Sequence, residues 1–289
     1  MSRKVDQIPL PAEARQMKVI VASPSRSGTL GLYQAMRILG YNTYHIYECC
    51  AIHGLPHMKI FNEAVTASYN RLSGIRRYTP ADFERWLGDY DCLVEVPSYI
   101  GVDFIEAYTK DPNVKFILTE RKPEKWAASM NNTTATLVTM ATTFPFNIIK
   151  YFDSTLYEFL DLNVLIYRAI AGGTYPRAPG NIEELCRFYR NYIKAVKEII
   201  PADRLCLIQL EDGLDWEKIC PFLGVPVPEQ PYPGRNEPEK FKVMVEGFIQ
   251  PKINAAIMRF SAVAISTVGV LGWAAVKYGP SALAALTGY

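Results

Sequence analysis

Between Ser23 and Gly31 the chain reads SPSRSGTLG. Ser25, Ser27 and Thr29 bring hydroxyls, and Gly28 lets backbone approach a ligand closely. Arg26 adds a permanent cation whose planar fork suits phosphate or sulfate oxygens. The apolar run KVIVAS precedes this turn and TLGLYQAMRIL follows it. The turn therefore joins a strand to a helix N-terminus, where free N–H groups and the helix dipole favour an anion. It is not a Walker A loop: no glycine opens it, and Thr29 follows Gly28 without the intervening lysine.

Two further places could do chemistry. Arg121 comes just after the strand-like run VKFILT, and Ser129 lies eight residues on, along the next helical stretch. Glu95 ends the strand-like run CLVEV, with Pro97 barring further regular pairing. A carboxylate at a strand's carboxyl end, in apolar surroundings, can serve as a general base or brace a cation such as Arg26.

Four runs must position these groups: 18–23, 92–96, 114–119 and 205–210. They are short, apolar and lack clean alternation, which predicts strands buried on both faces of a parallel sheet. Helical patterns lie between them. Leu32, Ala35, Met36 and Leu39 share one face before Gly40; Thr79 caps a helix with Pro80 at its first turn; Asn181 and Glu184 predict a capping box. Alternating strands and helices predict a layered α/β fold. Residues 131–180, rich in Thr and aromatic residues, interrupt the alternation as irregular helices. They are placed where an insertion walls a substrate site. AIHGLPHMK, with His53 and His57, reads as a loop.

Hydrophobic residues make up 49% of the 289 residues and charged ones 21%, which fits a folding chain. A net charge of +2 provides no general basic field, so nucleic acid is not expected as a partner. The six cysteines form no Cys-x-x-Cys pair, which disfavours zinc and points to a reducing compartment. The N-terminal residues lack the apolar core of a secretory signal, so the Asn131 and Asn132 sequons read as chance matches. The 17 residues from Phe260 to Val276 carry no charge, between Arg259 and Lys277. As a helix they span roughly 26 Å, close to a bilayer core. A C-terminal membrane anchor is expected, with the main domain cytoplasmic; the alternative is a helix packed on a cytoplasmic domain.

Taken together, these motifs resemble the sulfotransferases that use 3′-phosphoadenosine 5′-phosphosulfate, in a branch common in fungi. SPSRSGT is similar to their 5′-phosphosulfate loop, and Arg121 to Ser129 to their 3′-phosphate site. Further matches are Tyr44-His45, Glu95 and Pro97, the segment Ile117 to Trp126, and FLGVPVP with PYP-x-x-Asn from Phe222 to Asn236. The resemblance covers about residues 18–240. It implies a three-layer fold with a central parallel sheet flanked by helices, to which the C-terminal apolar helix is added. It implies donor contacts at Ser25, Arg26, Ser27, Gly28, Thr29, Leu30, Arg121, Ser129 and Asn236. It also implies in-line transfer of a sulfuryl group to an acceptor hydroxyl, with no metal, and catalytic roles for Arg26 and for Glu95 or His45 as base. Glu120 and Lys122 depart from the branch pattern on either side of Arg121. A kinase or NTPase would need the missing lysine and an Mg²⁺-holding aspartate; a catalytically silent membrane-tethered member is the other alternative. Met140, Phe144, Phe146, Tyr151, Phe152 and Tyr157 suggest an apolar small-molecule acceptor. The expected divisions are an arm (1–17), the main domain (18–240), a connecting helix (241–259) and the tail (260–289).

Overall fold

The computed structural model describes residues 2–234 and 238–287. Five parallel strands form its sheet: β1 (Val19–Val21), β2 (Thr43–Tyr44), β3 (Cys92–Val94), β4 (Lys115–Glu120) and β5 (Leu205–Gln209), in the order β2-β3-β1-β4-β5. Four of these coincide with the expected runs. The two-residue β2 was not foreseen.

Side chains alternate between two cores, as a pleated sheet requires. Val19, Val21, Cys92, Val94 and Ile117 face one core, and Ile20, Leu93, Phe116 and Leu118 face the other. Helices α1 (Thr29–Ile38) and α11 (Trp216–Leu223) cover the first face. The second is covered by α2 (Leu55–Tyr69), α3 (Pro80–Leu87), α4 (Val96–Ile100), α5 (Val102–Thr109), α6 (Pro123–Asn132), α7 (Thr134–Thr142), α8 (Phe146–Ile149), α9 (Ser154–Ile170) and α10 (Asn181–Ile199). The fold is thus three-layered α/β. β5 corrects the expectation of burial on both faces. It is an edge strand, and Leu207 is 45% exposed.

Local chemistry explains most helix ends. Thr79 and Asp82 form a reciprocal capping box on α3, and Gly40 takes a φ of 88° behind α1. Asn181 is not a cap. Gly180 holds that position, and the buried Asn181 amide joins α9 to α6 through Tyr167, Thr174 and Asn131. The segment expected to be a loop around His53 and His57 is helical: a π-helix (Glu48–His53) runs into α2, which carries His57. Their rings stack 3.9 Å apart, and burial together with His53 pushes His57 down to about 4. The N-terminal arm is built into the domain. Val5 is fully buried, Glu63 accepts from the Lys4 and Val5 amides, and Arg3 clamps Asp82 at 2.7 and 2.9 Å.

The connecting helix and the tail are one element, α12 (Pro238–Thr287). Ile249, Ile253 and Ala256 pack into the core; beyond Phe260 the described side chains face outward.

Candidate functional site

The chain leaves β1 for α1 and passes to β2 and β3 on one side, then returns to β4 and β5 on the other. The carboxyl ends of β1 and β4 therefore flank the topological switch point, where open α/β sheets hold ligands. The Ser23–Gly31 turn follows β1 and Arg121 follows β4, so the topology alone brings them together.

Gly28 has φ 83°, and a Cβ there would lie 2.8 Å from Leu214 and 3.0 Å from Leu210. The conformation favours glycine, and a larger residue would also push aside the ends of the two leucines. Arg26 also has positive φ, 65°. Such backbone in a bulky residue is costly and concentrates where function demands a particular aim. Thr29 and Leu30 begin α1, where helix geometry leaves amides without intrahelical acceptors.

The loop is held from behind by several partners. The Thr119 amide donates to Ser23 Oγ (2.8 Å), and its hydroxyl donates to Ser27 O (2.6 Å). Trp126 Nε1 donates to Ser25 O (2.8 Å), and the Tyr192 hydroxyl to Ala22 O (2.6 Å). Thr119 is fully buried. Thr119→Val leaves the Ser27 carbonyl unpaired, with an expected loss of about 1–3 kcal/mol. A denaturant midpoint unchanged from the parent chain would contradict that anchoring role.

Arg121 Nη1 donates to Arg26 O at 2.7 Å, while its buried Nε has no partner among the described residues. The Arg121 amide donates to the Tyr189 hydroxyl (2.9 Å), itself pushed up to about 12 chiefly by burial. Arg26 Nε donates to Ser129 Oγ at 3.2 Å. Arg26, Arg121 and Ser129, about a hundred positions apart in sequence, thus form one cationic corner. An open cleft of about 710 Å³ begins at Arg121, its walls mixed in charge: Lys122, Arg190, Lys194 and Lys197 face Glu120, Glu198, Glu211 and Asp212. A buried guanidinium nitrogen aimed at no protein acceptor, beside a helix N-terminus, fits a polyanionic ligand.

Glu95 stands between this corner and a second cavity. It has φ 69° and ψ −49°, near the strained γ-turn geometry, and sits at the N-cap of α4 rather than in β3. Its Oε2 lies 2.7 Å from His45 Nε2, and Tyr99 donates to its Oε1 at 3.2 Å. Burial acts to raise the carboxyl, but His45 and the Ser25 and Tyr99 hydroxyls outweigh it and hold it below its usual range. His45 Nδ1 accepts from the Tyr47 amide at 3.1 Å, which fixes the ring with its Nε2 edge against the Glu95 carboxylate. Tyr33 stacks on the imidazole with centroids 5.1 Å apart. Burial lowers the Arg26 guanidinium, Arg121 adds to this, and the Glu95 charge opposes it.

The second cavity holds about 80 Å³, room for the hydroxyl-bearing end of an acceptor. Ser25, Glu95 and Tyr99 form its polar end. Tyr47, Cys50, Leu137, Phe159, Val245 and Phe248 form most of the rest. None of the six insertion residues singled out from sequence lines it; the insertion supplies Thr134, Leu137, Phe159 and Asn163 instead. His45 stands behind Glu95 and is not in the wall. Sequence reasoning missed Tyr99, although its place four residues after Glu95 on a helical stretch was a usable signal. Asn236 lies outside the described residues.

A parallel sheet with a strand–turn–helix loop at its switch point and a buried carboxylate beside it is the architecture of a ligand-binding α/β protein. Residues 18–241 match the sequence profile of the sulfotransferase domain, and the chain belongs to that family. Ava biosynthesis cluster protein M of Aspergillus versicolor is 31% identical over 219 residues, which are 75% of this chain and 80% of that protein. A sulfotransferase crystal structure from Alicyclobacillus acidocaldarius aligns over 86% of this chain and 96% of its own, at 13% identity and a TM-score of 0.36, too distant to bear on the site.

Proposed function

We propose that this protein transfers a sulfuryl group from 3′-phosphoadenosine 5′-phosphosulfate to the hydroxyl of a small apolar acceptor. The observation that carries this reading is the position of Glu95, whose carboxylate joins the cationic corner to an apolar cavity. Arg121, with its unpartnered Nε, and Ser129 hold the 3′-phosphate. Arg26, the Ser25, Ser27 and Thr29 hydroxyls, and the Gly28 to Leu30 amides receive the 5′-phosphosulfate. The donor supplies an activated sulfuryl group, and negative charge grows on the bridging oxygen as its bond to sulfur breaks. Arg26 and the helix-terminal amides lie where that charge develops and stabilise it. Glu95 takes the acceptor's proton, and Tyr99 and His45 aim the carboxylate. No residue of this scheme calls for a metal.

Full-length protein in detergent is expected to bind 3′-phosphoadenosine 5′-phosphate by calorimetry, and more tightly than ATP with magnesium. Absence of binding, or the reverse preference, rules the reading out.

We also propose that α12 anchors the chain in a membrane with the catalytic domain on the cytoplasmic side. The stretch Val245–Tyr278 is long and apolar enough to span, and only 6% of its most apolar window is buried. A core helix would show the opposite burial.

A further inference from the structure

Where α12 leaves the domain, its neighbours are unusually exposed and apolar. Arg259 Nη1 donates to Asp153 Oδ2 (2.8 Å) and to Phe152 O (2.9 Å), and Phe260 meets the Phe152 ring edge-to-face at 5.3 Å. These contacts fix the exit of the helix beside the turn that joins α8 to α9. On that turn and just before it, Phe144 is 79% exposed, Tyr151 67% and Ile148 44%. Met258, on α12 itself, is 68% exposed. Lys150 lies over the Tyr151 ring at 5.5 Å.

Scattered exposed apolar side chains are ordinary; a cluster at one end of a domain is not. This cluster comes from two segments more than a hundred residues apart, and it rings the base of the helix proposed to span. Aromatic residues with a lysine and an arginine are the composition of a membrane–water interface. We infer that residues 144–151 form a foot that rests in the headgroup region of the bilayer and orients the domain over it. The occupant is a lipid surface because the foot is continuous with α12, whose next seventeen residues carry no charge. The inference rests on the anchor reading, but goes beyond it. α12 alone would hold the domain at one point; the foot adds a second contact that sets which face of the domain meets the bilayer.

The foot also relates the cavity to the surface. From the cavity wall, α12 runs from Phe248 to Phe260, roughly 18 Å of helix, and α9 runs back from Ser154 to Phe159, roughly 8 Å. With the foot seated, the cavity beside Glu95 stands roughly 18 Å along α12 from the lipid.

The test uses the full chain reconstituted in phosphatidylcholine vesicles. Cys206→Ser removes the one partly exposed native thiol; the other five are buried. Single cysteines replacing Phe144, Tyr151, Leu72 and Val268 then carry a nitrobenzoxadiazole label. Leu72, 97% exposed, follows α2 at the end that shares a cavity with the far end of α9. Labels at 144 and 151 are expected to shift to the blue and to be quenched by nitroxide-bearing lipids, like the label at 268, while 72 reports water. If 268 is quenched and 144 and 151 are not, the foot is wrong and the anchor stands. A blue shift at 144 and 151 without lipid quenching means that protein covers the patch, and also overturns the foot. If 268 reports water, both ideas fail.

Discussion

Glu95→Gln is expected to lower kcat by a factor of about 10²–10⁴, the usual worth of a positioned general base, with donor affinity nearly unchanged. The amide is isosteric, keeps contact with Tyr99 and cannot take a proton. His45→Phe should cost less and differently. His45 does not reach the cavity wall, so its loss leaves the base present but poorly aimed and less stabilised as an anion. Its signature is a shift of the acid limb of the pH profile. In the parent enzyme the Glu95 carboxyl titrates below its ordinary range, so activity holds from that lowered value upward and falls as pH drops through it. Without His45 the limb should move to higher pH. The same depressed value ties stability to pH. The ionised Glu95 favours the folded state above the ordinary carboxylate range, and that contribution fades as pH falls through the lowered value. Loss of turnover in His45→Phe, together with near-normal rates in Glu95→Gln, would exchange the two roles.

Arg121→Gln should weaken donor binding by about 10–150-fold, equivalent to one or more charge-assisted hydrogen bonds of about 1.5–3 kcal/mol. Arg121 has two tasks. Its Nη1 fixes the Arg26 carbonyl, and its buried Nε, without a partner among the described residues, is offered to the 3′-phosphate in the proposed scheme. Arg121→Lys retains the charge but not the fork, so it should recover little. Binding of the diphosphate 3′-phosphoadenosine 5′-phosphate should suffer far more than binding of adenosine 5′-phosphosulfate, which lacks the 3′-phosphate. Equal losses for both ligands would move Arg121 from the 3′-phosphate to a purely structural role in the loop.

Much of this site was legible because its signals are local. Strand, tight turn and helix start can be read from thirteen consecutive residues, and Arg121 to Ser129 from nine. The sheet was legible for the same reason, except β2: two residues pairing with one neighbour leave no periodicity to detect. β5 was found but misjudged, because an apolar run does not reveal whether it lies at an edge. The acceptor cavity was the least legible part. Its wall is assembled from the segment after β2, from α4, α7 and α9, and from the start of α12, so no single window carries it. Of the insertion residues that stood out by type, Phe144 and Tyr151 face outward and Met140, Phe146 and Phe152 pack against the core.

The apolar cavity has a consequence for turnover. Among the described residues its only charged wall group is Glu95. On the proposed reaction a neutral alcohol would enter at little electrostatic cost, but the sulfate ester formed from it would be a permanent anion. Once Glu95 has passed its proton to water, product and carboxylate would be like charges at the polar end of the cavity, with Arg26 offsetting only part of their repulsion. The pocket that receives the alcohol therefore rejects the ester, and the same charge draws the product out of lipid and into water. Transfer would then be its own eviction step, and weak inhibition by product is the kinetic mark it should leave.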